Sequence, residues 1–185
     1  MTLEIHDYIQ PGRTAHLVGI GGVSMSPLAE VLHGAGVRIT GSDAHESGAV
    51  EHLRALGVPV TIRQLAESCF QTIGHLPESV EEADCVIRTA AVHDDNPEIA
   101  AARRLGIPVF ERAQAWGAIM RHYHNALCVA GTHGKTTTTS MCTHIFLAAG
   151  LDPTVMIGGT LPAIGSGYRV GKGETIILES CEYCN

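Results

Sequence analysis

A cluster of glycine, lysine and threonine residues in this chain has the residue types that bind nucleotide phosphates. The stretch GTHGKTTTT, residues 131–139, follows an apolar run and precedes a segment of helical pattern, which is the strand–loop–helix context that a phosphate-binding loop needs. The common pattern G-x-x-x-x-G-K-[ST] has a glycine five positions before Gly134, where this chain has Val129. The spacing therefore indicates a shortened form of the loop.

The side chains of this loop predict a site for a nucleotide triphosphate and magnesium. Lys135 can bridge two phosphates as a point charge, and the backbone amides from Gly131 to Thr137 can form the anion cradle. Thr136 offers a hydroxyl to Mg²⁺, which takes only one or two protein ligands beside water and phosphates. Glu179 ends a later strand, where a carboxylate faces the ligand crevice of an α/β sheet. We interpret it as a second magnesium ligand, with an exposed edge glutamate as the alternative.

A second glycine-rich turn lies near the amino terminus, in LVGIGGVSMSPLAE. Gly19, Gly21 and Gly22 come between a predicted strand and a predicted helix, where backbone amides can approach a phosphate. Asp43 follows the next strand, near the position of a ribose-binding acid in dinucleotide folds. The fingerprint G-x-G-x-x-G is incomplete, because Ser24 takes its last position. A nicotinamide or flavin site, another nucleotide site and a purely structural turn all remain open at this point.

Composition bounds the class of protein. The chain has 185 residues, of which 45% are hydrophobic and 17% charged, as in ordinary globular proteins. Its net charge of −7 and lack of a basic stripe argue against nucleic acid as a partner. No run of 18 apolar residues and no signal-peptide pattern occur, so we expect no membrane insertion and a cytoplasmic location. Most of the six cysteines lie inside apolar runs, as free buried thiols do.

Short apolar runs alternate with segments of helical period, which predicts a parallel, doubly wound α/β sheet. Asn96 followed by Pro97 is a strong helix start signal. The predicted strands are 15–21, 37–43, 58–62, 84–90 and 107–111, and the predicted helices are 26–36, 48–57, 96–106 and 112–123.

A second domain is predicted from residue 123 onward, after a first domain at 1–122. Residues 125–132, 153–159 and 174–180 have strand patterns that we take as a three-stranded parallel sheet. The glycine-rich segment 160–174 between them fits a loop or a hairpin. A domain of this size would be incomplete, so we expect the sequence to hold only its opening part.

The motifs occur in an order that resembles the Mur ligase family, and in particular its members that add L-alanine. The resemblance covers residues 15–183 and is most specific in GIGG-x-x-MS-x-x-AE taken together with GTHGKTTTT. Its other matching segments are GSD, AVHDDNPEIAAA, IPVFERA and ESCEY.

The resemblance implies a Rossmann-like domain for the UDP end of the substrate, followed by the start of a P-loop-type α/β ATPase domain. It implies ATP and Mg²⁺, the substrates UDP-N-acetylmuramate and L-alanine, and an acyl-phosphate intermediate, in peptidoglycan synthesis. Its catalytic residue here is Lys135, and its magnesium ligands are Thr136 and Glu179. The residues implied at the ATP phosphates are Gly131, Thr132, His133, Gly134, Lys135, Thr136 and Thr137. Those implied at the UDP substrate are Gly19, Ile20, Gly21, Gly22, Ser42, Asp43, Thr89, Ala90 and Asn96.

Several residues carry competing interpretations. Cys181 and Cys184 have C-x-x-C spacing, but without a second pair we favour neither zinc nor redox chemistry. Most of the eleven histidines are expected at the surface. His133 is the exception, since it lies inside the loop. Arg112 could flank a helix cap or link to the second domain. An NAD-dependent oxidoreductase and a non-catalytic nucleotide-binding module are the competing functions, and the isolated chain is expected to show no ligase activity.

Overall fold

The protein is described from a computed structural model, which describes residues 4–62, 80 and 82–180. By its internal contacts the chain divides into two compact units, Met1–Trp116 and Gly117–Asn185.

The first unit has a five-stranded parallel sheet in the order β3-β2-β1-β4-β5. Sequential strands diverge on either side of β1, so the carboxyl ends of β1 and β4 lie at a topological switch point, where α/β sheets bind ligands. The elements of this unit are a 3₁₀ turn at Ile5–Asp7, β1 (Thr14–Val18), α1 (Met25–Gly34), β2 (Arg38–Asp43), α2 (Gly48–Ala55), β3 (Val60–Ile62), β4 (Cys85–Arg88), α3 (Pro97–Leu105) and β5 (Val109–Glu111).

The doubly wound sheet predicted from the sequence is confirmed, with all five strands shorter than predicted. The first strand ends at Val18 rather than residue 21, because the chain turns at Gly19, where φ is +80°, and the N–H groups of Gly19 and Ile20 both donate to the Ser42 carbonyl. The predicted cap of α3 is present, since the Asn96 side chain accepts from the N–H groups of Glu98 and Ile99. The centre of the sheet is apolar: Leu17, Ile87 and Ile99 have no exposed surface.

Helix α4 (Arg112–Met120) follows β5 directly and crosses the division between the two units. The sequence predicted this helix to run three residues further. Trp116 is 5% exposed, in line with a packing role for its ring.

The second unit has a four-stranded mixed sheet in the order β6-β9-β7-β8. The three strands predicted here are present and parallel, and the segment predicted as a loop or a hairpin adds a fourth strand. Strand β8 runs antiparallel to β7, because the glycine-rich segment between them turns the chain back as a hairpin. The other two pairs, β6 with β9 and β7 with β9, are parallel. The elements are β6 (Asn125–Val129), α5 (Lys135–Ala148), β7 (Thr154–Leu161), β8 (Ser166–Arg169) and β9 (Thr175–Glu179).

The cysteines of the described ranges are all free thiols: Cys85, Cys128 and Cys142. Burial raises the pKa of the Cys85 thiol to about 12, so this side chain behaves as a small apolar residue. Cys181 and Cys184, considered above for metal or redox chemistry, lie outside the described residues. Within those residues, the structure contains no helix of the length and apolarity that crossing a bilayer requires.

Candidate nucleotide-binding sites

The glycine-rich turn after β1 is held by the last two residues of β2. The Ser42 carbonyl accepts from the N–H groups of Gly19 at 2.8 Å and Ile20 at 3.0 Å. The Asp43 carboxylate accepts from the Gly21 N–H at 2.8 Å and from the His45 N–H at 3.2 Å. Both carboxylate oxygens of Asp43 therefore bind backbone N–H groups of the turn and of its own loop. Asp43 thus shapes the turn and also lines the cleft described below, and its expected contact with a ribose stays a prediction.

The turn continues into the amino terminus of α1, where two backbone N–H groups point to no acceptor. Gly22 donates to the Gly19 carbonyl, whereas Val23 and Ser24 donate to no group within the residues described. Arg112 donates to the Ser24 hydroxyl, and the Trp116 indole N–H donates to the Ser24 carbonyl at 3.3 Å. Arg112 thus contacts the glycine turn itself, which is neither of the two roles that the sequence suggested for it.

A cleft of about 410 Å³ lies at the carboxyl ends of β1, β2 and β4. Seven of the nine residues predicted for the UDP substrate line it: Gly19, Gly21, Gly22, Ser42, Asp43, Thr89 and Asn96. Ala91, Val92, Pro97 and Glu98 also line it, within the segments 89–92 and 95–98 that the resemblance places near the UDP substrate. The lining residues that the sequence did not single out are Val18, Ala44, His45 and Ser47.

The other two predicted residues, Ile20 and Ala90, do not line this cleft. The Ile20 side chain is fully buried, and a Cβ added at Gly41 would lie only 2.5 Å from its Cδ1 atom. Its N–H also donates to the Ser42 carbonyl. Ile20 therefore stabilises the conformation of the turn through its buried side chain and this hydrogen bond. Ala90 lies half-buried in the turn that follows β4.

Buried polar side chains form the floor of the cleft beside α3. The Ser42 hydroxyl donates to Glu98 Oε2 at 2.5 Å, and Glu98 Oε1 lies 3.3 Å from His16 Nε2. His16 Nδ1 is in turn 2.9 Å from the Thr40 hydroxyl. His16 is 1% exposed, a buried exception to the expectation that most histidines lie at the surface. Its position inside the apolar run AHLVGIG was the available sequence signal.

One wall of the cleft, the loop after β4, is held by an ion-pair network. Arg88 pairs with Glu111 at 2.7 Å and with Asp94, and Arg103 of α3 also binds Asp94 at 2.9 Å. Hydrogen bonds from Arg88 and then Arg103 lower the pKa of the Asp94 carboxyl. The bond to Glu111 is the main cause that raises the pKa of Arg88. These contacts fix the loop that contributes Thr89 and Val92 to the cleft.

The second glycine-rich loop joins β6 to α5 and has a different construction. Val129, at the position of the missing glycine, belongs to β6, and its carbonyl accepts from the Ser180 N–H at 2.8 Å. Gly134 caps α5 with φ +77°, a left-handed conformation that favours glycine. The N–H groups of residues 131–134, 136 and 137 donate to no group in the described part of the chain. The loop therefore carries a set of backbone amide donors that have no acceptor among the described residues.

Lys135, Thr136 and Glu179 come together beside this loop. Lys135 Nζ donates to the Gly131 carbonyl at 2.6 Å. The Thr136 hydroxyl donates to Glu179 Oε1 at 3.0 Å, and the Gly158 N–H donates to Glu179 Oε2 at 2.7 Å. Gly158 was not singled out from the sequence. A Cβ at this position would lie 3.0 Å from a Glu179 carboxylate oxygen, so a side chain would crowd Glu179.

The donor set at Thr136 and Glu179 fits a magnesium ion. Mg²⁺ takes oxygen ligands and usually binds one or two protein groups together with phosphates and water. A hydroxyl and a carboxylate at the end of a phosphate-binding loop match this requirement. Among the residues that the structure describes, no group of three or more His, Cys, Asp or Glu side chains forms an all-protein metal site. His133 is exposed in the middle of the loop.

A doubly wound domain with a glycine-turn cleft, and a phosphate-binding loop beside a hydroxyl–carboxylate pair, define a nucleotide-binding α/β protein. The sequence profile "Mur ligase family, catalytic domain" matches residues 14–124, and the chain belongs to this family.

Similar proteins agree with this assignment. The UDP-N-acetylmuramate–L-alanine ligase of Agathobacter rectalis is 48% identical over 170 residues, which are 92% of this chain and 35% of that protein. Among solved structures, a UDP-N-acetylmuramate–alanine ligase from Thermotoga maritima is 33% identical, with a TM-score of 0.72 over 90% of this chain and 36% of that one. A UDP-N-acetylmuramate:L-alanyl-γ-D-glutamyl-meso-diaminopimelate ligase from Neisseria meningitides is 28% identical, with a TM-score of 0.74 over 92% of this chain and 53% of that one. The chain spans about a third of the length of the curated relatives it matches.

Proposed function

We propose that the whole protein is an ATP-dependent ligase of peptidoglycan precursor synthesis that joins L-alanine to UDP-N-acetylmuramate. The observation that carries this proposal is the contact between Thr136 and Glu179 beside the G-T-x-G-K-T-T loop. It places a magnesium-type donor pair next to a row of unpaired amides, as phosphoryl transfer from ATP requires. The names of the similar ligases support the choice of substrates. We place this reaction in the cytoplasm, where nucleotide-linked precursors and ATP are available.

In this proposal the two units have separate tasks. Residues 1–122 form the domain that binds the UDP substrate, in the cleft lined by Gly19, Ser42 and Asn96. Residues 123–185 contribute to the ATP-binding domain. Because the curated relatives are about three times longer than this chain, the complete reaction is proposed for the whole protein. This chain supplies its substrate cleft and phosphate loop, and we expect no turnover from the chain alone.

The proposed chemistry activates a carboxylate. A carboxylate oxygen of the lactyl group attacks the γ-phosphorus of ATP, the bond to the β-phosphate oxygen breaks, and ADP leaves. The amine nitrogen of L-alanine then attacks the acyl carbon and loses a proton, and the tetrahedral intermediate expels phosphate with the electron pair of the broken C–O bond.

The residues of this chain act on the first of these steps. Lys135 would leave the Gly131 carbonyl and bind the phosphate oxygens on which negative charge accumulates. Thr136 and Glu179 would hold Mg²⁺, which supplies charge neutralisation to the phosphates when bound. The amides of residues 131–134 would orient the phosphates in line with the attacking carboxylate.

A titration of this chain with UDP-N-acetylmuramate, and separately with NAD, tests the assignment of the first unit. We expect saturable heat of binding with UDP-N-acetylmuramate and none with NAD, because Ser24 replaces the last glycine of the dinucleotide-binding fingerprint. Tight NAD binding with no response to the UDP substrate would contradict the proposal and favour an oxidoreductase.

A further inference from the structure

The floor of the substrate cleft contains a buried carboxylate that the proposed reaction does not use. Glu98 is 4% exposed, yet it lines the cleft together with Ser42. A carboxylate taken out of water is costly unless polar groups around it form hydrogen bonds. Here Ser42 binds one oxygen and His16 approaches the other. Three elements thus meet at Glu98, because His16 lies on β1, Ser42 on β2 and Glu98 on α3.

One proton arrangement satisfies all three hydrogen bonds of this cluster. The Thr40 hydroxyl donates to His16 Nδ1, His16 donates its Nε2–H to Glu98, and Ser42 donates its hydroxyl to the second oxygen. This tautomer is assigned from the hydrogen-bond network. Glu98 also lies in the first turn of α3, where the helix dipole favours negative charge. These hydrogen bonds and the helix amino terminus both stabilise the buried carboxylate.

Ser42 links this cluster to the glycine turn. Its hydroxyl binds Glu98, while its carbonyl accepts the N–H groups of Gly19 and Ile20. A shift of the Ser42 backbone would therefore move the turn that leads to the unpaired N–H groups of Val23 and Ser24. The hydrogen bond from its hydroxyl to Glu98 restrains Ser42 against such a shift.

We infer that Glu98, supported by His16, is a positioning residue for the UDP-substrate cleft: it holds Ser42 so that the glycine turn is preformed for the diphosphate. This inference rests on the proposed function of the cleft. Its physical basis is preorganisation. A site that already has its bound conformation loses little conformational entropy when the ligand binds. Displacement of a positioning group by about 1 Å can weaken function by up to a hundredfold.

The experiment compares two substitutions of Glu98 in this chain by calorimetric titration with UDP-N-acetylmuramate. Glu98→Met leaves Ser42 and His16 without their partner, and we expect the Kd to rise about tenfold or more. Glu98→Gln keeps the length and can accept from Ser42 and donate to His16 in its other tautomer, so we expect a Kd near that of the wild type. Arg104→Met, at an exposed position of the same helix, is the matched control and should leave the Kd unchanged.

A double-mutant cycle with Ser42→Ala separates positioning from direct contact. The Ser42→Ala single variant remains informative if Glu98→Met folds poorly. We expect Ser42→Ala alone to weaken binding several-fold with little change in Tm, and to add nothing in the Glu98→Met background. Equal binding by wild type and Glu98→Met, equal losses for Gln and Met, or additive effects of Ser42→Ala would each contradict the inference. If Ser42→Ala alone binds like the wild type, the inference is also wrong. Failure of the wild-type chain to bind UDP-N-acetylmuramate would instead contradict the proposed function of the cleft.

Discussion

The two glycine-rich loops of this chain use their backbone N–H groups in opposite ways. In the turn after β1, the amides of Gly19, Ile20 and Gly21 all donate to the end of β2. In the loop after β6, the amides of residues 131–134 donate to no group that the structure describes. The first loop is held by the protein around it, whereas the second presents its donors outward.

Because of this difference, we expect the two sites to respond differently to mutation. In the first unit, shape depends on bonds among Ser42, Asp43 and the turn, so a substitution acts by changing packing. In the second unit, the proposed ligand of the loop amides and Lys135 is an external anion, so we expect a substitution there to act on the charge that the ligand brings. Affinity for the UDP substrate and phosphoryl transfer from ATP should therefore be separable.

Loss of the loop lysine should have the largest effect. We expect Lys135→Ala in the whole protein to reduce kcat about 10³-fold or more, because a cation at the transferring phosphoryl group is removed. Binding of UDP-N-acetylmuramate should stay within about twofold, since Lys135 belongs to the second unit and the proposed substrate cleft is lined by residues of the first. ADP release and calorimetric titration measure the two quantities.

The matched control for this substitution is Lys172→Ala, at an exposed position of the same unit, which should leave both quantities unchanged. An equal loss of substrate binding and turnover in Lys135→Ala would show that the two sites are not separate.

Crowding of Glu179 should have the next largest effect. In Gly158→Ala the new Cβ would lie 3.0–3.2 Å from the Glu179 carboxylate, which displaces a proposed magnesium ligand. We expect activity at limiting Mg²⁺ to fall about 10- to 100-fold, with partial recovery at high Mg²⁺. Gly159→Ala is the control, because its Cβ would meet only the Thr136 methyl at 3.6 Å. Identical magnesium dependence in the two variants would argue against a metal role for Glu179.

A packing change in the glycine turn should act on the first unit alone. In Gly21→Ala the Cβ would lie 2.9 Å from a Val50 methyl and 3.0 Å from Asp43 Oδ2. Overpacking of this kind costs about 1–3 kcal/mol of unfolding free energy, and we expect the Kd for the UDP substrate to rise about tenfold. Gly48→Ala, whose Cβ meets nothing within 4 Å, is the control. If Gly21→Ala changed ATP affinity as strongly as UDP-substrate affinity, the separation of the two sites would be in doubt.

Local signals predicted much of the fold. The cap at Asn96 and Pro97 placed the start of α3, and the glycine stops placed the helix ends, because these depend on nearby backbone chemistry. The order β6-β9-β7-β8 and the antiparallel β8 were not predictable in this way. They depend on which strands pair across long connections, and the segment 160–174 fitted a loop and a hairpin equally.

The same distinction between local and long-range signals applies to the candidate site residues. Lys135, Thr136 and the turn glycines were found because they lie in contiguous motifs. The contacts of Glu98 with His16 and Ser42 were not found, because these residues are distant in sequence and meet only through the fold. For Asp43 the spacing predicted a position at the end of β2, but it did not reveal that the turn itself provides hydrogen-bond partners.

The smallest predicted effect is on stability and concerns two aspartates, one in each unit, that make the same kinds of hydrogen bond. Asp84 accepts from the Thr14 N–H and from Arg13, and Asp152 accepts from the Lys172 N–H and from Arg169. In both, the backbone hydrogen bond is the main cause that lowers the pKa of the carboxyl.

A carboxyl whose pKa is lower in the folded state stabilises the fold above its unfolded-state pKa of about 3.9, and this contribution is lost as the pH falls through the folded-state value. We therefore expect Asp84→Asn to lower the unfolding free energy by about 1 kcal/mol at pH 7, a value reduced for partial solvent exposure. The difference from the wild type should shrink below pH ~4, as measured by urea denaturation across this range. Asp95→Asn, at an exposed position of the same unit, should match the wild type at every pH. A stability difference for Asp84→Asn that stayed constant down to pH ~2 would mean that the hydrogen bonds of Asp84 act through shape, as those in the glycine turn do, and not through its charge.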